Sequence, residues 1–300
     1  MEALVLGNAT LDVICYPVDN VPRHDSITFQ RSIVSPGGCG SNVAIGLASL
    51  NVPAGLAATI GDDDAALLLE TYWDKVGLDQ RYVRRIPGDH TGVSVGLVDT
   101  DLQPRFVHTS GANAWLDSSA LDLKGICELG CRCLHVAGFF VLPGLLKDPF
   151  AASLAEAKIA GLEISLDVVQ TPRMDDPSYL WACLPYVDFF FCNLIEAMRL
   201  SGIDDPEIAG RFFRDRGAGA VCVKLGNNGC MLDSDDFRGI VPAEVVDVVD
   251  TTGAGDAFAA GFVAARLAGM QVEDACKAGN AAGARVVSSL GAISAWFQES

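Results

Sequence analysis

The residues best suited to chemistry lie in one short stretch, Asp250-Thr251-Thr252-Gly253-Ala254-Gly255-Asp256. The apolar run 245–249 before it is predicted to be a buried strand, and residues 257–268 are predicted to be a helix. A glycine turn between a strand and a helix directs free backbone N–H groups and the positive end of a helix dipole at one point, where an anion binds. Asp256 would sit beside that point. It could take a proton from an attacking hydroxyl, or merely complement the helix dipole.

A second glycine cluster lies far upstream, Pro36-Gly37-Gly38-Cys39-Gly40-Ser41-Asn42, and is predicted to open a helix over residues 42–50. Together the two stretches resemble the motifs of the PfkB, or ribokinase-like, family of carbohydrate and nucleoside kinases. These motifs are a Gly-Gly-x-x-x-Asn turn near the N-terminus and an Asp-Thr-x-Gly-Ala-Gly-Asp turn in the C-terminal third. Two motifs in this order are more specific than either alone. The resemblance covers nearly the whole chain and implies an ATP-dependent kinase that phosphorylates the hydroxymethyl group of a sugar or sugar-like substrate.

The elements that must position these motifs follow from strand and helix patterns that alternate along the chain. Alternation of this kind predicts an α/β fold with a mostly parallel central sheet and ligands at the carboxyl ends of its strands. Predicted strands cover residues 3–6, 54–59, 132–136, 162–167, 186–191 and 220–224. Predicted helices cover residues 63–76, 143–160, 206–216 and 273–287.

The resemblance adds the architecture around that sheet. It implies a ribokinase-like three-layer α/β/α fold and a single kinase domain over residues 1–300. A small β lid would come from about residues 12–34 and 91–109, where residues 26–34, 91–98 and 104–108 are predicted strands. The lid is also the candidate surface for a homodimer.

The amino-acid composition and net charge of the chain exclude some classes of binding partner. Half of the 300 residues are hydrophobic and 20% are charged, enough for a sizeable core. The net charge of −17 argues against nucleic acid or an anionic membrane as a partner. Ten scattered cysteines, with no recognisable signal peptide, predict reduced thiols and a cytoplasmic location, and no apolar run approaches a membrane span. Cys131, Cys133 and His135 alternate as on a strand, where core packing is favoured over a zinc site.

The side of the site that binds the phosphoryl acceptor, called the acceptor side below, is expected near the first motif. By resemblance, Asp12 binds substrate hydroxyls, although it could also be only a turn residue. Gly37 and Gly38 would let the substrate approach the backbone, and Asn42 can both donate and accept hydrogen bonds with a polyol. Asn113, in a Gly-Ala-Asn turn, is a further candidate.

The side of the site that binds the nucleotide is expected at the carboxyl ends of strands later in the chain. Asn193 and Glu196 form an Asn-x-x-Glu pattern that, by resemblance, organises Mg²⁺ through water, and the same pattern is a helix-capping arrangement. Lys224 begins a Lys-Leu-Gly-x-x-Gly segment that resembles the family's nucleotide loop and is also compatible with a simple hairpin turn. The nucleotide candidates are Asn193, Lys224, Gly226, Gly229 and Asn280.

The catalytic roles rest on the second motif. By resemblance, Asp256 is the base, and the backbone N–H groups of Gly253, Ala254 and Gly255 form the anion hole, with ATP and Mg²⁺ as cofactors. Phosphoryl transfer depends on positioning and charge stabilisation more than on a strong base, so a helix N-terminus that lowers the pKa of Asp256 is compatible with this role.

A monovalent cation is a further candidate cofactor. Many members of the resembling family are activated by K⁺ bound between two loops that correspond to Asp250 with Thr252 and to the segment near Gly291. Carboxylate and carbonyl oxygens suit a hard cation of this kind.

Two alternatives stay open. Phe139 and Phe140 stand where ribokinases proper tend to carry an acidic ribose ligand. They could stack on a purine, which would indicate an adenosine-type nucleoside kinase, or fill the core. A non-catalytic sugar-binding protein on the same fold is less favoured, because a binder has no need of Asp256 beside an anion hole. The chain contains no P-loop motif and no Gly-x-Gly-x-x-Gly after the first strand, so a P-loop kinase and a dinucleotide dehydrogenase are poor fits.

Overall fold

A computed structural model of the chain describes residues 1–101, 104–147 and 150–297. The strands are β1 (Ala3–Gly7), β2 (Thr10–Tyr16), β3 (Arg31–Gly37), β4 (Ala54–Ile60), β5 (Asp79–Arg85), β6 (Gly92–Val98), β7 (Pro104–Thr109), β8 (Cys133–Ala137), β9 (Glu163–Asp167), β10 (Phe189–Asn193), β11 (Ala220–Lys224), β12 (Cys230–Asp233) and β13 (Arg238–Val241). The α-helices are α1 (Cys39–Ser49), α2 (Asp64–Lys75), α3 (Leu123–Glu128), α4 (Phe150–Ile159), α5 (Ser178–Cys183), α6 (Leu194–Ser201), α7 (Pro206–Arg214), α8 (Ala254–Leu267) and α9 (Val272–Val287).

The main sheet has nine strands in the order β13-β12-β11-β10-β9-β8-β1-β4-β5. The strands from β5 to β11 in this order pair in parallel, and β12 and β13 add an antiparallel edge. Every residue of β1, β4 and β8 is buried, as expected of parallel strands that are covered on both faces. The carboxyl ends of these strands therefore meet at one edge, where the site lies.

Helices cover both faces of this sheet. Successive side chains of a strand point to opposite faces. In β1, Ala3 and Val5 accordingly belong to one hydrophobic cluster, with residues of α1, α8 and α9, whereas Leu4 and Leu6 belong to a second, with residues of α4, α5 and α7. The predicted three-layer α/β/α class is confirmed. None of the helices in the described ranges has the length and apolarity needed to cross a membrane.

A second, smaller sheet stands apart from the first. Its order is β3-β2-β6-β7, with β2 and β6 parallel and the two outer pairs antiparallel. Its strands come from the two parts of the sequence predicted to supply a lid, and β6 and β7 pair antiparallel. Whether the sheet acts as a lid stays a prediction.

The predicted strand 245–249 is wrong. Val245 is 98% exposed, and residues 242–250 form no strand. The N–H of Val249 instead donates to the carbonyl oxygen of Val287 in α9 at 2.7 Å. Other boundaries shift as well: the strand predicted over 26–34 lies at Arg31–Gly37, the strand predicted over 186–191 lies at Phe189–Asn193, and the helix predicted over 143–160 is observed as α4, with turns over residues 143–147.

Candidate active site

The two glycine motifs meet at Asp256. Gly253 precedes α8 in the left-handed conformation (φ 77°), and a β-carbon there would lie 2.6 Å from that of Ala292, so this turn requires glycine. Asp256 follows in the first turn of α8. On α1, the Nδ2 atom of Asn42 donates a hydrogen bond of 2.8 Å to Oδ2 of Asp256. Residues far apart in sequence thus form one site between two helix N-termini.

The environment of Asp256 disfavours its charge. Burial and the negative charge of Asp167 together raise the pKa of Asp256 to about 7, against the lowering effects of Asn42, Lys224 and Cys39. The net shift is upward, because desolvation of the buried carboxylate is the largest effect on its pKa. A carboxyl group with this pKa exchanges a proton close to neutral pH.

The predicted anion hole is only partly free. The N–H group of Ala254 donates to the carbonyl oxygen of Thr251 at 3.2 Å. Those of Gly253 and Gly255 make no hydrogen bond to any residue in the described part of the chain. The latter two can therefore receive an anion without breaking an existing bond.

Lys224 places a positive charge beside this turn. It ends β11, and a β-carbon at Gly255 would lie 3.0 Å from its Nζ atom. Burial lowers the pKa of Lys224, but Glu196, Asp167 and Asp256 outweigh that effect and raise it overall. The side chain stays a cation and is well placed to contact phosphate oxygens.

Asn193 and Glu196 form the predicted capping box at the start of α6. The backbone N–H of Asn193 donates to Oε2 of Glu196 at 2.7 Å, and the N–H of Glu196 donates to Oδ1 of Asn193 at 2.8 Å. Burial raises the pKa of Glu196, against the lowering effect of Lys224. A backbone hydrogen bond from Gln170 also lowers this pKa, so two backbone groups hold the carboxylate, and a role for Glu196 in a metal site stays a prediction.

A cavity of about 660 Å³ opens next to Lys224, a volume typical of ligand sites. Asn280 helps to shape it, because its Nδ2 donates to the carbonyl oxygens of Val241 and Pro242. The segment once predicted as a strand contributes Val245, Val246 and Val248 to the wall. All five residues predicted for the nucleotide line it: Asn193, Lys224, Gly226, Gly229 and Asn280.

Asp12 lies inside β2 of the small sheet, not in a turn or at a strand end. Its Oδ1 accepts a hydrogen bond of 2.7 Å from Oγ1 of Thr10, and a β-carbon at Gly37 would overlap its carboxylate. Burial raises the pKa of Asp12 to about 6. Binding of a substrate hydroxyl by Asp12 stays a prediction.

Gly38 caps α1 with a φ of 83°, and a β-carbon there would lie 2.7 Å from the carbonyl oxygen of Asn8.

The two asparagines predicted to bind the phosphoryl acceptor differ in their hydrogen bonding. Oδ1 of Asn42 is buried and has no hydrogen-bond partner in the described residues. A buried acceptor of this kind is costly unless a ligand satisfies it. Asn113 accepts from the N–H of Ala9 and donates to the carbonyl oxygens of Ala9 and Ser110. Its amide thus holds the backbone together, and a substrate contact for Asn113 stays a prediction.

The predicted cation loop is held together by Asp250. Its Oδ1 accepts hydrogen bonds from the backbone N–H and the hydroxyl of Thr252, and its Oδ2 accepts one of 2.8 Å from the N–H of Gly291. The three predicted residues therefore lie together, although their mutual bonds occupy part of the oxygen set that a cation would use.

The sequence-based prediction missed Asp167. This residue ends β9, is 3% exposed, and accepts a hydrogen bond of 2.6 Å from the N–H of Gly138. Its place at the end of a predicted strand was the available signal, since other site residues share that edge.

Phe139 and Phe140 have no exposed surface and pack in the core. The observation that favoured a purine acceptor is therefore removed.

Comparisons with known proteins agree with this geometry. The family model described as pfkB family carbohydrate kinase matches residues 2–298. The ATP-dependent ribose-1-phosphate kinase of Halopiger xanaduensis is 35% identical, over 98% of this chain and 95% of its own. The deoxyribokinase of Salmonella typhi is 29% identical, over 92% and 89%. Arabidopsis thaliana ribokinase, solved with ribose and ATP, superposes with a TM-score of 0.83 at 26% identity and covers 98% of this chain and 95% of its own.

Proposed function

The chain belongs to the pfkB family of carbohydrate kinases, and we propose that it transfers the terminal phosphoryl group of ATP to the hydroxymethyl group of a sugar or sugar-like acceptor. The observation that carries this proposal is the buried Asp256 at the start of α8, held by Asn42. A general base and an anion-binding turn in one place are what phosphoryl transfer to an alcohol requires.

Each group in the site has a part in the proposed reaction. Asp256 accepts the proton of the acceptor hydroxyl as the oxygen attacks, while Asn42 keeps the carboxylate in position. Lys224 and the free N–H groups of Gly253 and Gly255 balance negative charge on the transferred phosphoryl group. The cavity beside Lys224 is large enough for the nucleotide. Mg²⁺ would neutralise phosphate charge when bound, and the Glu196 carboxylate is proposed to act on it through water.

The acceptor is proposed to be a pentose or a pentose phosphate. The names of the relatives favour this class, and the paired carboxylate and amide groups of the acceptor side suit a polyol. A nucleoside acceptor is second, since the two aromatic side chains that favoured it are buried in the core. The ten free cysteines support the proposed cytoplasmic location.

The test is ADP release with Mg²⁺, ATP and a panel of ribose, deoxyribose, ribose 1-phosphate, fructose and adenosine. At least one sugar or sugar phosphate should raise ADP release well above the rate without acceptor, and adenosine should not. Thermal stabilisation by a sugar without any ADP release would instead indicate a non-catalytic binding protein.

The pH dependence should follow Asp256. Because burial raises the pKa of Asp256 to about 7 and the base must be ionised, kcat/KM is expected to rise with pH through about 7 and then level off. A pH series from 5 to 9 with saturating ATP measures this. An acid limb near pH 4 would contradict the assignment of Asp256 as the base in this environment.

A monovalent cation is proposed to bind at the loop held by Asp250. Such a cation would order the turn before α8 without contacting the acceptor. We therefore expect kcat to be several-fold higher in K⁺ than in tetramethylammonium at matched ionic strength, measured on the acceptor that the panel identifies. Equal rates in the two salts would remove the cation from the proposed cofactors.

The small sheet is proposed to act as a lid on the single domain of residues 1–300. The same sheet is also proposed to supply the interface of a homodimer. Val34, Val13, Val95 and Val107 are register partners and form one row across all four strands. Side chains alternate along a strand, so this row lies on the face opposite Asp12. Val34 is 44% exposed and Val107 is 63% exposed. A second copy of the same row would cover such an apolar face.

The dimer prediction is tested by light scattering. The wild-type chain should elute as a dimer, and the double variant Val34→Lys/Val107→Lys as a folded monomer. Val21→Lys, an exposed valine outside the row, is the control and should leave the dimer intact. A monomeric wild-type chain at micromolar concentration would exclude this interface.

A further inference from the structure

Three buried polar side chains form a chain behind the active site. His135 on β8 and Ser165 on β9 are register partners in the main sheet. Nδ1 of His135 lies 2.8 Å from Oγ of Ser165, and Nε2 lies 3.3 Å from Oδ2 of Asp167. The exposed fractions of these residues are 0%, 1% and 3%. The His135 side chain, for which core packing was predicted, thus contacts Asp167, a residue of the site.

An apolar side chain would fill this position at lower cost. A buried imidazole is unfavourable unless both ring nitrogens have partners. Nε2 lies 3.3 Å from the Asp167 carboxylate but forms no regular hydrogen bond with it or with any other described residue. With the Ser165 hydroxyl donating to Nδ1, the proton of a singly protonated ring would lie on Nε2, on the side of Asp167. Phe191 packs beside the ring, with centroids 6.2 Å apart, and limits its rotation.

The other oxygen of Asp167 connects this chain to the acceptor side. Oδ1 accepts the N–H of Gly138, which has a φ of 68°. A β-carbon at Gly138 would lie 3.2 Å from Sγ of Cys39 and 3.3 Å from Oδ1 of Asn8, the atom that accepts the N–H of Cys39. The Gly138 turn therefore packs against the first residue of α1, the helix that holds Asp256 through Asn42.

We propose that His135, oriented by Ser165, is a positioning residue that fixes the Asp167 carboxylate, and that Asp167 in turn fixes the Gly138 turn and the charge beside Asp256. The proposal rests on the proposed kinase function for its catalytic consequence. The groups around Asp256 are Asp167 on β9, Lys224 on β11, and Cys39 with Asn42 on α1. Asp167 is the only one of these four that adds negative charge at neutral pH.

The first test is the pH profile of kcat/KM. Removing the like charge with Asp167→Asn should move the acid limb to lower pH by about one unit. His135→Phe keeps a ring but loses the donor. It should move the limb in the same direction and lower kcat/KM about tenfold, since the Asp167 carboxylate and the Gly138 turn are no longer held in place. His135→Gln, whose Nε2 can replace that of the imidazole, should restore the wild-type limb.

Val136→Ala is the matched control, since Val136 is the next residue of β8 and is also fully buried. It should lower the melting temperature and leave the acid limb unchanged. If His135→Phe also lowers only the melting temperature and keeps the wild-type limb, His135 merely fills the core and the proposal is overturned.

The second test does not need turnover. The chain has four histidines, so ¹⁵N imidazole spectra can be assigned by single substitutions. His135 should be the Nε2-protonated tautomer, and its signals should shift in Asp167→Asn but not in Glu207→Gln. A proton on Nδ1 would overturn the arrangement. These spectra decide the His135–Asp167 contact even if the acceptor panel shows no kinase activity.

Discussion

Replacing Asp256 by asparagine is expected to lower kcat by about 10²–10⁴, the usual effect of removing a general base. The change keeps the size of the side chain but removes the proton acceptor, and Asn42 can still donate to the new amide oxygen. The nucleotide cavity is lined by Gly255 and Lys224 but not by Asp256. Affinity for a non-hydrolysable ATP analogue, measured by calorimetry, should therefore stay close to wild type.

The control for this variant is Glu207→Gln, which removes a carboxylate from the first turn of α7. If the lost activity came only from a weakened helix N-terminus, the two variants would behave alike. We expect wild-type kcat for Glu207→Gln. An Asp256→Asn enzyme that keeps more than a tenth of wild-type turnover would show that another group accepts the proton.

The charges around Lys224 explain why a divalent cation belongs in the proposal. Lys224 has three carboxyl groups as electrostatic neighbours, those of Asp167, Glu196 and Asp256. ATP brings further negative charge into this cluster, and the chain as a whole is acidic, with a net charge of −17. Coulomb repulsion at short range in a partly desolvated site is strong. Mg²⁺ on the phosphates would offset it, as would the N–H groups at the start of α8.

Local chemistry made part of this site predictable. Gly253 and Gly38 are required by positive φ angles and close backbone contacts, and such requirements appear as glycines in the sequence. The capping box of Asn193 and Glu196 depends on residues three positions apart, and it is observed as predicted. The buried parallel strands likewise follow from short apolar runs between helical segments.

Properties that depend on distant residues were not predictable. The pKa of Asp256 is raised by burial and by Asp167, on a strand that the motif does not include. The run 245–249 has the composition of a strand, but Val245 is almost fully exposed and the N–H of Val249 bonds to the carbonyl oxygen of Val287 in α9, not to a strand. Asn113 has the residue type of a ligand, yet the backbone of Ala9 and Ser110 takes up its hydrogen bonds.

Asp12→Ala is the second large effect that we expect, and it separates the two halves of the site. With its pKa raised to about 6, Asp12 is mostly ionised above pH 7 and can accept hydrogen bonds from acceptor hydroxyls. Losing that partner leaves a hydroxyl unpaired in a closed site, at a cost of about 1–3 kcal/mol, or more for a charged group. The value of kcat/KM for the acceptor should therefore fall roughly 10- to several-hundred-fold.

The same variant should bind an ATP analogue as the wild type does, because Asp12 belongs to the small sheet and does not line the nucleotide cavity. Asp25→Ala, an exposed carboxylate between β2 and β3, is the matched control and should change neither quantity. Because Asp12 rests over Gly37 at the entry to α1, a loss confined to the acceptor would place the acceptor between the small sheet and Asp256. Equal weakening of acceptor and ATP analogue would mean instead that the two ligands share one pocket, and the division of the site proposed here would have to be abandoned.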